Sequence, residues 1–246
     1  MKRSLLLLSA CLVGFSSLAQ GAPKIRSSLY IGAQAGYSHM YGKMRGDFNP
    51  VVVGAPSSIQ SSKSKHSDNV AGDILAGGRY IFRNGFALGG DVSFGLDNNK
   101  LSTPLNHPVL GFDSFFNNKI RMRYNVVPSI MIGKLFTPRL LGFFKLGVGF
   151  ARFKHELFNI SETADTGSLT KFKFSTTRIA LVPTLGFEYQ LLSRFSLVGT
   201  ISHESYGRAR KFYNDNIVPS SPQAETYVSS VKPRFFKVKA GVLFHF

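Results

Sequence analysis

The sequence predicts an all-β fold: an eight-stranded antiparallel up-and-down transmembrane β-barrel with four long extracellular loops and short periplasmic turns. Three observations carry this expectation. Eight segments alternate apolar residues with small or polar ones at a period of two, the pattern of a strand with one apolar face. Short turns alternate with long polar connections along the chain. Beyond the N-terminus no apolar run approaches the roughly 18 residues of a spanning helix.

Composition narrows the classes. The chain has 246 residues, 43% hydrophobic and 13% aromatic, too rich for a disordered protein. Thirty Lys and Arg against 13 Asp and Glu give a formal charge of +17, so partners other than lipid are expected to be acidic. One cysteine, Cys11, and no His/Cys cluster leave no disulfide framework and no zinc site. No metal and no cofactor are expected.

Residues 1–19 read as a cleaved secretory signal. Lys2 and Arg3 precede an apolar stretch from Leu5 to Leu18, and small residues follow around Ala19. Cleavage after Ala19 fits best, with Gly21 as the second site. Leu8-Ser9-Ala10-Cys11 also resembles a lipidation box, but the apolar stretch before Cys11 is short and continues past it. Residues 20–28 form a short N-terminal segment, and 29–246 form the barrel.

The strands follow in order. The first sets Leu29, Ile31, Ala33, Ala35 and Tyr37 opposite Tyr30, Gly32, Gln34, Gly36 and Ser38. The second, 70–82, sets Ile74, Ala76, Tyr80 and Phe82 opposite Asp73 and Arg79, and the third, 86–96, sets Phe86, Leu88, Val92 and Phe94 opposite Asp91 and Ser93. The fourth, 120–136, places Ile120, Met122, Tyr124, Val126, Ile130 and Ile132 opposite Arg121, Arg123, Asn125 and Ser129. The fifth, 142–153, places Phe144, Leu146, Val148 and Phe150 opposite Lys145. The sixth, 178–191, opens on Arg178 and sets Ile179, Leu181, Leu185, Phe187 and Tyr189 opposite Thr184, Gly186, Glu188 and Gln190. The seventh, 195–206, sets Phe195, Leu197 and Ile201 opposite Ser196, Thr200, Ser202 and Glu204. The eighth, 235–246, sets Phe236, Val238, Val242, Phe244 and Phe246 opposite Lys237, Lys239 and His245.

Turns at Arg83-Asn84-Gly85, around Thr137-Pro138-Arg139 and at Leu192-Ser193-Arg194 carry hairpin chemistry. The long connections are 42–67, 98–118, 154–177 and 207–233. Hairpin units recur at nearly equal intervals, so one meander is expected and no domain boundary.

The minority face decides where the lipid lies. It holds Asp73, Arg79, Asp91, Arg121, Arg123, Lys145, Arg178, Glu188, Glu204, Lys237 and Lys239 beside several glycines. Charges of both signs among small residues suit a narrow lumen in which ions pair. The majority face is aliphatic and Phe-rich, with Tyr37, Tyr41, Tyr80, Tyr124 and Tyr189 towards strand ends, the aromatic girdle of a membrane barrel. Pro128 and Pro183 fall inside strands, where a bulge or one lost ladder bond is expected at each.

The segment from Leu29 to Tyr37, the Val182-Pro183-Thr184-Leu185-Gly186-Phe187-Glu188-Tyr189 strand and the terminal Gly241-Val242-Leu243-Phe244-His245-Phe246 resemble the opacity-protein and OmpA-type outer-membrane barrels. The resemblance implies the outer membrane of a Gram-negative bacterium. It also implies an assembly signal at Phe244 and Phe246 for the barrel assembly machinery. The chain stops at the eighth strand, so the periplasmic peptidoglycan-binding role is not implied.

A filled eight-stranded lumen directs function to the loops. Their cations include Arg208, Arg210, Lys211, Lys232 and Arg234, for which lipopolysaccharide phosphates or polyanionic surface glycans are the expected partners. No nucleic-acid module is recognised. The expected role is structural and adhesive, not enzymatic. One alternative is a narrow anion-preferring channel for small solutes. Another is a lipid A esterase, because His203 and Ser205 resemble the His-x-Ser arrangement of the outer-membrane lipid A deacylases. Tyr206 stands where that family has Asn, and no outward carboxylate of a neighbouring strand is placed to orient His203.

Overall fold

The structure is a computed structural model that describes residues 25–49, 59–109, 112–161, 168–215 and 225–246. Side chains at 46–49, 59–61, 103–109, 112–118, 157–161, 168–172, 209–215 and 225–229 are outside the description. The expected signal, Cys11 and residues 20–24 also lie outside the described residues.

Among the described residues ten strands build eight staves. They are β1 (Ser28–Asn49), β2 (Ile59–Ile81), β3 (Phe86–Asp97), β4 (Lys100–Val109), β5 (Phe112–Thr137), β6 (Leu140–Ser161), β7 (Ser168–Gln190), β8 (Phe195–Tyr206), β9 (Ala209–Asp215) and β10 (Glu225–His245). The order β1-β2-β3-β5-β6-β7-β8-β10 is antiparallel throughout, and β10 pairs β1 to close the cylinder. β4 pairs β5 above β3, and β9 pairs β10 above β8, so the third and seventh staves are each built in two pieces. Among the described residues Gly85 is the glycine with a positive φ, 81°, which the Asn84-Gly85 turn requires.

Period two sorts the side chains. Leu29, Ile74, Ile130 and Leu185 are 62–68% exposed on the outer wall, within a band of exposed aliphatics and Phe that circles the barrel. An apolar belt of this extent has no place in water and matches a bilayer. Tyr37 and Tyr80 are exposed on the same wall.

The connections differ from expectation. Much of 42–67, 98–118, 154–177 and 207–233 is strand: β1 pairs β10 as far as Asn49 and β5 pairs β6 as far as Ser114 and Ser161. The 22 residues of β1 are about twice the roughly 9–11 that a tilted strand needs to cross the hydrocarbon core. The barrel wall therefore continues well beyond the apolar belt. Polar composition did not end the strands, because a wall in water needs only its inner face apolar.

Arg121 and Arg123 overturn their assignment to the lumen. A register shift between Met122 and Tyr124 inserts one extra residue into β5 against β6, and such a bulge reverses the phase beyond it. Ile120 and Met122 therefore turn inward and are buried, while Arg121 and Arg123 turn outward. The prolines behave otherwise: the β5–β6 ladder skips Val127 and Pro128, and the β7–β8 ladder skips Val182 and Pro183, with register kept across both gaps. Each proline loses ladder pairing on one side without a bulge.

The β1–β10 seam closes tightly on glycine. A Cβ on Gly241 would sit 2.0 Å from the Ala33 carbonyl oxygen, and one on Gly36 would sit 2.1 Å from that of Val238. Gly241→Val is expected to destabilise the barrel by at least the about 1–3 kcal/mol of an overpacked core. The neighbouring Ala240→Val, on the exposed outer wall, should leave the urea midpoint of the heat-modifiable band unchanged. Equal midpoints for both variants would show that the seam is looser than described.

Candidate functional site

The lumen is filled in layers. Near the periplasmic turns, Tyr30, Met131, Leu141, Phe143, Leu243 and Ile25 pack together. Ile25 is brought there by the N-terminal segment, whose amide donates to the Pro138 carbonyl at 2.9 Å. Towards the outside a second apolar layer holds Met40, Leu101, Ile120, Phe153, Tyr206 and Phe235. Between them lies a polar layer with a cavity of about 50 Å³ beside Asp73, Asp91, Lys145, Glu204 and Lys239.

Most of the lumen charges are paired. Arg79 grips Glu188 with both terminal nitrogens, Nη2 reaching Oε1 at 2.9 Å, and His245 Nε2 stands 3.1 Å from the same carboxylate. Lys145 pairs with Asp91 and Lys239 with Asp73. Lys237 lies 2.9 Å from Glu204 and 3.5 Å from Asp97. Tyr206 donates to Glu204 at 2.8 Å and Tyr30 to Asp91 at 3.1 Å. Asp97 belongs to this network although it was not singled out in the sequence; it stands two residues past Gly95, on the same face as Asp91. Arg178 is half-buried at the inward phase of β7, opposite Ala151, and its Nε is without a hydrogen bond. This arrangement stores charge without exposing it to a path: polar groups meet in the middle, and packed apolar layers stand at both ends.

The outer wall above the apolar belt is a different surface. Strand register sets Asp68, His39, Phe236 and His203 in one row across β2, β1, β10 and β8. His66, Tyr41, Arg234 and Ser205 form the next row outward. Asp68 accepts from the Tyr37 hydroxyl and lies 2.5 Å from His39 Nδ1. His203 and Ser205 do face outward, but neither makes a side-chain hydrogen bond among the described residues, and the outward carboxylate Asp68 is engaged by His39 and Tyr37.

One further row out, Lys43 of β1 stands directly opposite Lys232 of β10. With Arg45, Lys65, Arg208 and Arg234 they line a cleft of about 390 Å³ in which no carboxylate is found among the described residues. The Arg234 guanidinium lies 5.9 Å from the centre of the Tyr41 ring, which fixes it against the wall. Arg210 and Lys211 lie on β9, outside the residues whose side chains are described. The meeting of Lys43 with Lys232 escaped the sequence reading because both were placed in loops. The continued alternation of Met40, Gly42 and Met44 with Tyr41, Lys43 and Arg45 was the signal for it. At the other end Phe244 packs edge-on against Phe195 and Phe246, and Phe246 is exposed to the bilayer.

No protein-family model matches the chain. It is 26% identical over 262 residues to an uncharacterised protein of Coxiella burnetii, covering all of this chain and 98% of that one. Among solved structures, the outer membrane protein OprG of Pseudomonas aeruginosa superposes with a TM-score of 0.52 at 12% identity, over 92% of this chain and 99% of OprG. Neisserial surface protein A gives a TM-score of 0.40 at 14% identity, over 87% and 99% of the two chains. The OprG likeness shows the fold, and the belt of exposed aliphatics supplies the environment. This chain is an eight-stranded antiparallel β-barrel of the outer membrane.

Proposed function

We propose that the chain is an outer-membrane surface scaffold, of the opacity-protein and OmpA type, that acts through cations on its outer rim by holding polyanions. Lipopolysaccharide and surface glycans are its partners, and its role is structural and adhesive. The observation that carries this reading is a contrast among the described residues: the lumen lysines Lys145, Lys237 and Lys239 are each paired, whereas the rim cleft gathers six cations and no carboxylate. A channel would need a way past Leu141 and Phe153, each fully buried in its layer. The esterase reading gains no support from the partners of His203.

Binding to immobilised heparin or lipopolysaccharide tests the proposal. It should weaken steeply with salt, since exposed charges are screened over about 8–10 Å near physiological ionic strength. Neutralising Arg208, Arg210, Lys211, Lys232 and Arg234 together should reduce it far more than neutralising Arg83, Arg139 and Arg194, at the opposite end of the barrel. Equal losses would show that net charge alone drives binding, and no loss from either set would remove the adhesive role.

A further inference from the structure

We infer that the cleft between β8, β10, β1 and β2 is a built site for a phosphate-bearing lipid headgroup of the outer leaflet. It rests on the reading of the rim as polyanion-binding and narrows it to a ligand within the membrane plane. Three observations lead there.

The first is direction. Lys43, Lys232 and Arg234 alternate with the inward Met44, Val231 and Phe235 and so project sideways from the wall, not upward from the mouth. A ligand reaching them lies beside the barrel.

The second is height. On the same strands Tyr37, Val238 and Ile201 are exposed apolar residues of the belt. Arg234 stands four residues beyond Val238 on β10, and Lys232 and Lys43 stand six residues beyond the paired Val238 and Tyr37, roughly 13–20 Å along the strand and less along the membrane normal because the strands tilt. An acyl chain lying on the belt carries its headgroup to this level.

The third is repulsion. Lys43 and Lys232 are direct cross-strand partners, which places like charges within about 6 Å at Cβ and is destabilising. Arg45 and Arg234 flank them, and among the described residues no carboxylate lines the cleft. A phosphate seated between the two lysines removes the repulsion and gains charge-assisted hydrogen bonds from the flanking guanidiniums. The other outward basic row, Lys100, Arg121 and Lys154, supplies an internal contrast, because Lys154 there is paired with Glu156 at 2.7 Å.

The test uses the purified full-length mature barrel in detergent micelles, with wild type and K43Q/K232Q compared. Bisphosphorylated lipid A, its dephosphorylated form and heparin serve as probes. Wild type should bind the bisphosphorylated lipid, and the double variant should bind it about tenfold or more weakly, the worth of one or more charge-assisted hydrogen bonds. Without lipid, the double variant should melt higher than wild type, because the repulsion is gone. With bisphosphorylated lipid A the order should reverse. A gain that reverses with ligand is not the behaviour of residues that merely solvate a wall, and it is readable only in a folded variant. Equal affinity of wild type for the dephosphorylated lipid, unchanged lipid A affinity in the variant, or a variant that melts lower without lipid would each overturn the inference. If heparin binding falls while lipid A binding holds, the cleft serves a soluble polyanion: the lipid site fails and the rim reading survives. If lipid A binding falls while heparin binding holds, the lipid site stands and adhesion resides elsewhere.

Discussion

Glu188→Lys is expected to lose most of the heat-modifiable folded band at urea concentrations that leave the wild type intact. Glu188 and Arg79 are each almost fully buried, and their side chains are 2% and 1% exposed. The carboxylate also faces His245 at 3.1 Å, and the Arg79 guanidinium lies over the Tyr30 ring. Breaking a buried pair by removing one member costs about 3–5 kcal/mol, because the other charge stays desolvated. The lysine adds a second cation beside the first, so the loss should sit at or above the upper end. Glu188→Gln keeps much of the shape and some hydrogen bonds, and should cost less. Exchanging the pair, Arg79→Glu with Glu188→Arg, should recover part of the loss. An unchanged urea midpoint for Glu188→Lys would mean that the carboxylate lies in bulk water and that the inward phase of β7 is wrong.

The sequence carried the phase of seven staves and the position of this pair, because Asp, Glu and Lys set among glycines every second residue have one physical reading in a narrow cylinder. It misplaced two features for identifiable reasons. Arg121 and Arg123 share the parity of Asn125, and only the extra residue at the β5 bulge separates them; nothing in the alternation marks a bulge until a neighbouring strand is paired beside it. Ile120 and Met122 are apolar yet line the lumen, since beyond the bilayer an apolar face must turn inward. Hydrophobicity therefore points to lipid within the belt and to the lumen above it. The same reversal hid the rim cleft: once the strands are extended through the polar connections, Lys43 and Lys232 meet by register alone.

Lys237→Met should be nearly as damaging as the Glu188 change, and its rescue is the sharper test. Lys237 is 1% exposed and serves two carboxylates, Glu204 at 2.9 Å and Asp97 at 3.5 Å. Those acids have other partners: Tyr206 and Asn125 donate to Glu204, and Ser38 donates to Asp97 at 2.6 Å. Neutral donors steady the carboxylates but do not cancel their charge, so Met in place of the ammonium leaves two anions in one buried layer. The expected loss is about 3–5 kcal/mol. Adding Glu204→Gln should return a substantial part, and adding Asp97→Asn as well should bring the urea midpoint close to wild type, because exchanging a complete buried ion cluster for neutral groups is often without net cost. If Glu204→Gln instead deepens the loss, hydrogen bonding to Tyr206 outweighs charge balance at this level of the lumen. If Lys237→Met alone is harmless, water reaches the layer past Phe235 and Phe153, and the outer apolar layer does not close the lumen.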